Sequence, residues 1–120
     1  MGRKLKIENG RVITAHRIMD MASLLISDGV ITEVSDKKIR SGADIVLDAG
    51  GNYISPGFID IHVHGGGGSD FMDGSVKDFL TIAETHLQYG TTAMVPTTLT
   101  ASKKDLLHTL DIYKKAHAKN

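Results

Sequence analysis

The most informative segment of this chain reads Pro56-Gly57-Phe58-Ile59-Asp60-Ile61-His62-Val63-His64 and continues into four glycines, Gly65 to Gly68. As a β-strand it carries Asp60, His62 and His64 on one face, because side chains alternate between the two faces of a strand. The opposite face carries the apolar row Ile59, Ile61 and Val63. The alternation therefore predicts a strand with one face for chemistry and one face for burial.

The two histidines have the spacing of a metal site. At positions i and i+2 they lie roughly 6.6 Å apart along a strand, so both imidazoles can converge on one ion. Imidazole suits zinc, iron and similar divalent metals. The alternative is a buried strand whose histidines only satisfy local hydrogen bonds. We favour the metal site for a His-x-His pair that closes an apolar strand before a glycine run.

Asp60, on the same face, has two interpretations. Its carboxylate could orient a ligand histidine, as carboxylates near metals commonly do. It could instead pair with a cation from a neighbouring strand. Both interpretations place Asp60 beside the histidines without making it a metal ligand.

The glycine run is expected to end the strand in a loop. Glycine has no Cβ, so the backbone can turn sharply and approach a ligand just beyond the metal. The apolar row fits a barrel strand that is covered by helices, and active sites of eight-stranded β/α barrels lie past the carboxyl ends of the strands. Gly65, Gly66, Gly67 and Gly68 are therefore candidates for contact with a substrate.

The segment Gly57 to His64 resembles the first-strand signature of the amidohydrolase superfamily, metal-dependent hydrolases on a distorted β/α barrel. The continuation Gly65-Gly66-Gly67-Gly68-Ser69-Asp70-Phe71-Met72-Asp73 is similar to N-acetylglucosamine-6-phosphate deacetylases in particular. Hydantoinase-like and dihydroorotase-like relatives carry other residues after the second histidine. The resemblance extends from about Leu5 to Ala118 and corresponds to the amino-terminal part of the family only.

The resemblance implies an α/β fold with two parts. Residues 1–55 would be the amino-terminal portion of a small β-sandwich-like domain. Residues 56–120 would be the first two β/α units of a TIM-like (β/α)8 barrel that is incomplete in this chain.

The resemblance also implies an activity: hydrolysis of the acetamide of N-acetylglucosamine 6-phosphate to glucosamine 6-phosphate and acetate, in amino-sugar catabolism. His62 and His64 match the first metal-ligand positions of the family. The cofactor implied is a divalent metal, zinc or iron, as one or two ions. The catalytic acid or base, the remaining ligands and the phosphate-binding residues are expected beyond Asn120.

Two other classes of function stay open. The chain could be a truncated product without catalysis, acting at most by association with other chains. It could also belong to a different amidohydrolase, such as a cyclic-imide hydrolase or a deaminase, although the residues after His64 disfavour this. Zinc on two protein ligands is under-coordinated, so we expect weak metal binding and no turnover from these 120 residues alone.

Composition predicts a globular chain without nucleic-acid or membrane partners. The net charge is zero, 41% of the residues are hydrophobic, and the basic residues form no long cluster. No apolar run approaches the ~20 residues of a membrane span, and no secretory segment opens the chain, which predicts a cytoplasmic location. The absence of cysteine excludes thiolate metal sites. The partners expected are a phosphorylated amino-sugar substrate and, in the complete protein, further copies of itself.

Turn signals divide the amino-terminal part into short strands. Asp28-Gly29 between residues 23–27 and 30–34 predicts a hairpin with a two-residue turn. Other strands are expected at residues 6–10, 11–14 and 44–48, the first two as a strand pair. We expect no catalytic residue in this region, and His16 is expected on the surface.

After the glycines the apolar period changes from two to about 3.6. Ser75 with Asp78 predicts the start of a helix and Gly90 its end. Residues 91–95 predict a strand ended by Pro96, and Ser102 with Asp105 predicts a second helix. The apolar positions at helical spacing, which give each helix an apolar face, are Val76, Phe79, Leu80, Ala83 and Leu87 in the first helix and Leu106, Leu107, Leu110 and Tyr113 in the second.

Two further groups of polar residues have predicted positions. His86, His108 and His117 fall on the helices, and we expect them to be structural or exposed, away from the active face of a barrel. Thr97 and Thr98 follow the second strand, where they would either contact substrate or cap the loop.

Overall fold

The computed structural model describes residues 2–119, and the chain divides between Pro56 and Gly57 into two units. The first unit is a five-stranded sheet in the order β3-β2-β1-β4, with β5 also paired to β1. Its strands are β1 (Lys4–Ile13), β2 (Ile18–Ser27), β3 (Val30–Ser35), β4 (Ile45–Asp48) and β5 (Tyr53–Ile54). Residues 2–56 form this single sheet and do not themselves form the second layer of a sandwich.

The first unit confirms one predicted turn and corrects another. Asp28 and Gly29 both have positive φ angles, 52° and 77°, as a type I′ hairpin turn between β2 and β3 requires. The strand pair predicted around Asn9 was wrong, because residues 4–13 form one strand. Within β1 the left-handed residue is Asn9, with φ 59°, and the pairing with β2 shifts there. A single left-handed residue makes a bulge and cannot reverse the chain.

The second unit has the order strand, helix, strand, helix predicted from Phe58, with a small hairpin added after the first strand. Its elements are β6 (Phe58–Val63), β7 (Gly65–Gly66), β8 (Ser69–Asp70), a 3-10 turn (Phe71–Asp73), α1 (Val76–Gln88), β9 (Thr91–Pro96) and α2 (Lys103–His117). β6 and β9 pair in parallel. A parallel pair joined by a helix is the repeating unit of α/β folds.

The helix boundaries confirm the predicted caps. The Ser75 hydroxyl accepts a hydrogen bond from the Asp78 amide at the start of α1, and Ser102 does the same for Asp105 at the start of α2. Gly90, which follows α1, has φ 90°, a conformation that a residue with a Cβ rarely adopts. These local signals act within one turn of helix, which is why the sequence shows them.

The core of the second unit joins β6 to both helices. It consists of Val63, Phe71, Phe79, Ile82, Ile112 and Ala116. The apolar positions predicted for α2 are not the ones that face the core: Leu107 and Leu110 are 57% and 52% exposed, whereas Thr109, Ile112 and Ala116 are buried. The helix carries two apolar stripes, and the positions of β6 and α1 determine which one is buried.

The apolar row of β6 is only partly buried, contrary to the simple expectation. Val63 belongs to the core, but Ile59 and Ile61 are 71% and 76% exposed. The sheet has two strands, and the core cluster reaches this row only at Val63. The start of β6 therefore presents an uncovered apolar face. No helix within residues 2–119 combines the length and the apolar character needed to cross a membrane.

Candidate metal centre

The two histidines converge at the carboxyl end of β6. His62 lies in the strand and His64 follows its last residue, so the pleat directs both side chains to the same face. Their Nε2 atoms lie 3.1 Å apart, and the rings meet edge to face with centroids 5.0 Å apart. The alternation predicted this common face.

The donor set fits a divalent metal. Two imidazole nitrogens on one tetrahedral zinc lie about 3.3 Å apart, given zinc to nitrogen distances of about 2.05 Å, and the observed separation is close to this value. The same separation also suits a hydrogen bond in which only one Nε2 carries a proton. Unprotonated, both atoms can ligate, as metal binding requires.

His64 also has a buried nitrogen that lacks a partner within residues 2–119. Its Nδ1 is inaccessible to solvent and accepts or donates no hydrogen bond there. A ligand histidine usually donates its second ring N–H to a carbonyl or carboxylate. A buried polar atom without a hydrogen bond destabilises a folded protein. A further partner for Nδ1 of His64 would therefore be stabilising.

Asp60 contacts the backbone and not a ring. Its Oδ1 accepts a hydrogen bond from the His62 amide at 3.1 Å. Within the described part of the chain Asp60 forms no ion pair, and no group of three or more His, Cys, Asp or Glu residues is arranged to hold a metal. The carboxylate therefore holds the strand at His62, and neither predicted role for its side chain is formed by these residues.

The four glycines end β6 as expected, and the loop that they form is a small hairpin. Gly65 and Gly66 pair with Asp70 and Ser69, and the turn at Gly67 and Gly68 has φ angles of 62° and 82°. Positive φ at both turn positions is what a type I′ turn demands, and glycine meets it without strain. The backbone that directly follows His64 is thus held in one conformation by hydrogen bonds across the hairpin.

The hairpin has a near arm, β7, and a far arm, β8. Two hydrogen bonds hold the far arm and Phe71, the residue that follows it. The Phe71 amide donates to the His64 carbonyl at 3.0 Å, and Phe71 itself is buried in the core. The Ser69 hydroxyl donates to the Asp78 carboxylate at 3.1 Å. A hydrogen bond from the Ser75 hydroxyl, supported by that from Ser69, holds the pKa of the Asp78 carboxyl below its ordinary value.

His86 is structural, as one of the two expectations had it, but sequence reasoning missed its place beside the hairpin. Its Nε2 lies 3.1 Å from the Gly65 carbonyl, next to His64, and the residue is half-buried. One signal could have shown it: His86 lies one helical turn after the fully buried Ile82, on the same stripe. His108 and His117 are exposed, as expected, and His117 stacks on Tyr113.

Thr97 lies at the carboxyl end of β9, next to the site. Its amide donates to the Val63 carbonyl at 2.7 Å, and its hydroxyl donates to the Val95 carbonyl at 3.2 Å. The amide bond continues the pairing of β9 with β6 past the strand end, and the hydroxyl bond satisfies a carbonyl of β9 itself. Of the two predicted roles, capping is the one that these contacts form.

Comparison with known proteins reveals similarity to metal-dependent hydrolases of more than one kind, with the longest alignments to N-acetylglucosamine-6-phosphate deacetylases. The chain is 33% identical over 108 residues to N-acetylglucosamine-6-phosphate deacetylase of Bacillus subtilis, an alignment that covers 83% of the chain and 26% of that protein. A shorter alignment of 61 residues is 41% identical to a dihydroorotase of Thermoanaerobacter sp. and covers 51% of the chain. No family model matches the chain.

The fold agrees with the sequence alignment. A solved structure of a mutant N-acetyl-D-glucosamine-6-phosphate deacetylase from Mycobacterium smegmatis, in complex with N-acetyl-D-glucosamine-6-phosphate, superimposes with a TM-score of 0.79 and 25% identity. The match covers 98% of the chain and 30% of that structure. The chain spans about a quarter of the length of the curated deacetylases that it matches.

Proposed function

We propose that this chain, which is similar to N-acetylglucosamine-6-phosphate deacetylases in sequence and in fold, is the amino-terminal part of an enzyme of that kind. The reaction is hydrolysis of the acetamide of N-acetylglucosamine 6-phosphate to glucosamine 6-phosphate and acetate. The observation that carries the proposal is the convergence of His62 and His64 at the carboxyl end of a parallel strand in a chain of this similarity.

Within such an enzyme, residues 57–119 are the first two β/α units of a (β/α)8 barrel. The parallel pairing of β6 and β9 through α1 supports this assignment. The sheet of residues 2–56 is a portion of a small β-domain that strands from elsewhere complete. The proposed enzyme is cytoplasmic and forms homo-oligomers.

The residues of this chain bind and position. His62 and His64 would hold a divalent metal, zinc or iron, through their Nε2 atoms. The chemistry that such a metal would supply here is polarisation of the amide carbonyl and activation of water near neutral pH. Asp60 keeps the strand fixed at His62 through the amide of that residue. The Gly65–Asp70 hairpin brings backbone close to the sugar, and a carboxylate outside this chain moves the proton to the leaving amine.

The second candidate is another amidohydrolase, because half of the chain also aligns with a dihydroorotase. That alignment covers 14% of the dihydroorotase, compared with 26% of the Bacillus deacetylase. Ring-opening of a cyclic amide and cleavage of an acetamide use the same kind of metal-activated water. The two candidates differ only in what the loops around the strand ends accept.

The experiment that tests the proposal uses the complete polypeptide that contains this chain. Purified with zinc or with iron, it is given N-acetylglucosamine 6-phosphate, unphosphorylated N-acetylglucosamine and dihydroorotate. We expect acetate from the phosphorylated sugar and little from the others. Turnover of dihydroorotate without acetate release would replace the proposal by the second candidate, and turnover of none of the three would overturn both.

A further inference from the structure

We propose that His86 is a positioning residue, which holds the near arm of the Gly65–Asp70 hairpin against α1. This proposal rests on the proposed function, since it concerns the same site. The contact itself joins residues that are 21 positions apart in the chain: Nε2 of His86 lies 3.1 Å from the carbonyl oxygen of Gly65. A carbonyl oxygen can only accept, so Nε2 carries the proton and donates.

The packing around the ring supports a built contact. A Cβ added to Gly66 would lie 3.0 Å from Nε2 of His86, so the ring lies directly against the hairpin backbone. A Cβ added to Gly67 would meet the Thr85 hydroxyl at closer range. One face of α1 therefore supports the hairpin at two successive glycines, and side chains at those positions would displace it.

The position of the contact gives it a consequence for the site. Gly65 directly follows His64, and the near arm pairs with the far arm through Gly65 with Asp70 and Gly66 with Ser69. The far arm is in turn joined to α1 by the Ser69 hydroxyl, whereas His86 joins the near arm to α1 directly. Among the described residues His86 is the side chain that hydrogen-bonds to the near arm. Without it we expect the Gly65-Gly66 backbone to move while His62 and His64 keep their places in and beside the strand. The loss of His86 should therefore weaken substrate binding and leave the rate of the chemical step nearly unchanged.

The test uses three variants of the complete polypeptide. His86→Leu removes the donor and keeps an apolar side chain of moderate size. His86→Gln places an amide N–H near the former Nε2 position. His108→Leu is the matched control, an exposed histidine on α2. Hydrogen exchange is followed in the peptide that contains residues 65–70, and KM and kcat are measured with N-acetylglucosamine 6-phosphate.

His86→Leu should speed exchange in the hairpin on the order of five-fold, the equivalent of one net hydrogen bond. It should raise KM while kcat changes by less than about two-fold. His86→Gln should restore both values toward those of the unaltered protein, and His108→Leu should change neither. A purely structural role would lower melting temperature without separating KM from kcat and without rescue by glutamine.

Several results would overturn the proposal. Unchanged exchange in His86→Leu, equal losses in the leucine and glutamine variants, or faster exchange with unchanged KM would each do so. If His86→Leu does not fold, Gly66→Ala takes its place, because its Cβ crowds the ring and should lengthen the same bond. If the unaltered protein releases no acetate, the proposed function fails, and hydrogen exchange alone then decides whether His86 holds the hairpin.

Discussion

The Nε2 atoms of His62 and His64 lie 3.1 Å apart at the end of β6, while Nδ1 of His64 is buried without a partner in residues 2–119. At this separation the two Nε2 atoms cannot both carry protons that are directed at each other. Either one Nε2 donates its proton to the other, or both nitrogens bind the same cation. With a metal bound, neither Nε2 would carry a proton.

The first prediction therefore concerns metal content. In the complete polypeptide, His62→Ala combined with His64→Ala should lower bound metal and acetate release together. Loss of residues that merely support metal ligands is typically on the order of 10- to 100-fold, and loss of two ligands should cost at least as much. Elemental analysis and an acetate assay measure the two effects.

A matched control for that experiment replaces two exposed histidines, His16→Ala with His117→Ala. It should leave metal content and turnover unchanged. Full metal content and turnover in the His62 and His64 double variant would remove these residues from the mechanism.

The second prediction concerns the Asp78 carboxyl, whose pKa is held below the ordinary value of 3.8 mainly by the Ser75 hydroxyl. Because the folded-state pKa is lowered, the interaction stabilises the fold above about pH 3.8 and is lost as the pH falls through the folded value. Ser75→Ala should raise the pKa of Asp78 more than Ser69→Ala does. A carbon-detected NMR titration of the carboxyl measures both changes.

The control for that titration is Asp111, whose pKa is lowered chiefly by Lys115 at the far end of α2. Neither serine variant should alter its titration. A larger rise in the pKa of Asp78 from Ser69→Ala than from Ser75→Ala would contradict the prediction. It would mean that the contact with the hairpin lowers this pKa more than the contact with the helix cap does.

The third prediction concerns core packing on the two helices. Ile82 is fully buried, so Ile82→Ala should lower the free energy of unfolding by about 2–5 kcal/mol through lost burial and a residual cavity. Leu107→Ala, at a position 57% exposed, should change it by less than about 0.5 kcal/mol. Denaturant unfolding, followed by a spectroscopic probe in the second unit, gives both changes in the free energy of unfolding. Equal losses would place Leu107 in the core.

The fourth prediction concerns the 120-residue polypeptide by itself. Within residues 2–119, β6 and β9 form a two-stranded sheet, so each leaves one edge unpaired, and Ile59 and Ile61 expose an apolar face beside it. Unpaired edges are templates for association. We expect the isolated chain to be marginally stable, oligomeric or aggregated, and inactive as a deacetylase. Light scattering and an acetate assay measure these properties.

A charge on that face should reduce the association. Ile61→Lys places a lysine in the exposed row, a substitution that natural edge strands use against pairing. Tyr89→Lys, at an exposed apolar position after α1, is the matched control and should have little effect. A monodisperse monomer with measurable turnover from the unaltered chain would show that no further strands are needed, contrary to the proposed site.

Local patterns were sufficient for much of the second unit. The period of two placed His62 and His64 on one face, and Ser75 and Ser102 marked the starts of both helices. In the first unit Asp28-Gly29 identified the turn between β2 and β3. Each of these features depends on backbone preferences and hydrogen bonds between residues no more than about four positions apart.

The sequence by itself thus determined the order strand, helix, strand, helix from Phe58, the turn at Asp28-Gly29 and the pair of converging histidines. Only the tertiary structure decided which stripe of α2 is buried, that Ile59 and Ile61 stay exposed, and that His86 reaches the Gly65 carbonyl. These outcomes depend on contacts between residues far apart in the chain. The hydrophobic effect is non-directional, so it favours the burial of any apolar stripe of similar area. Which stripe is buried therefore depends on the elements that pack against it, and the sequence of one helix does not show this.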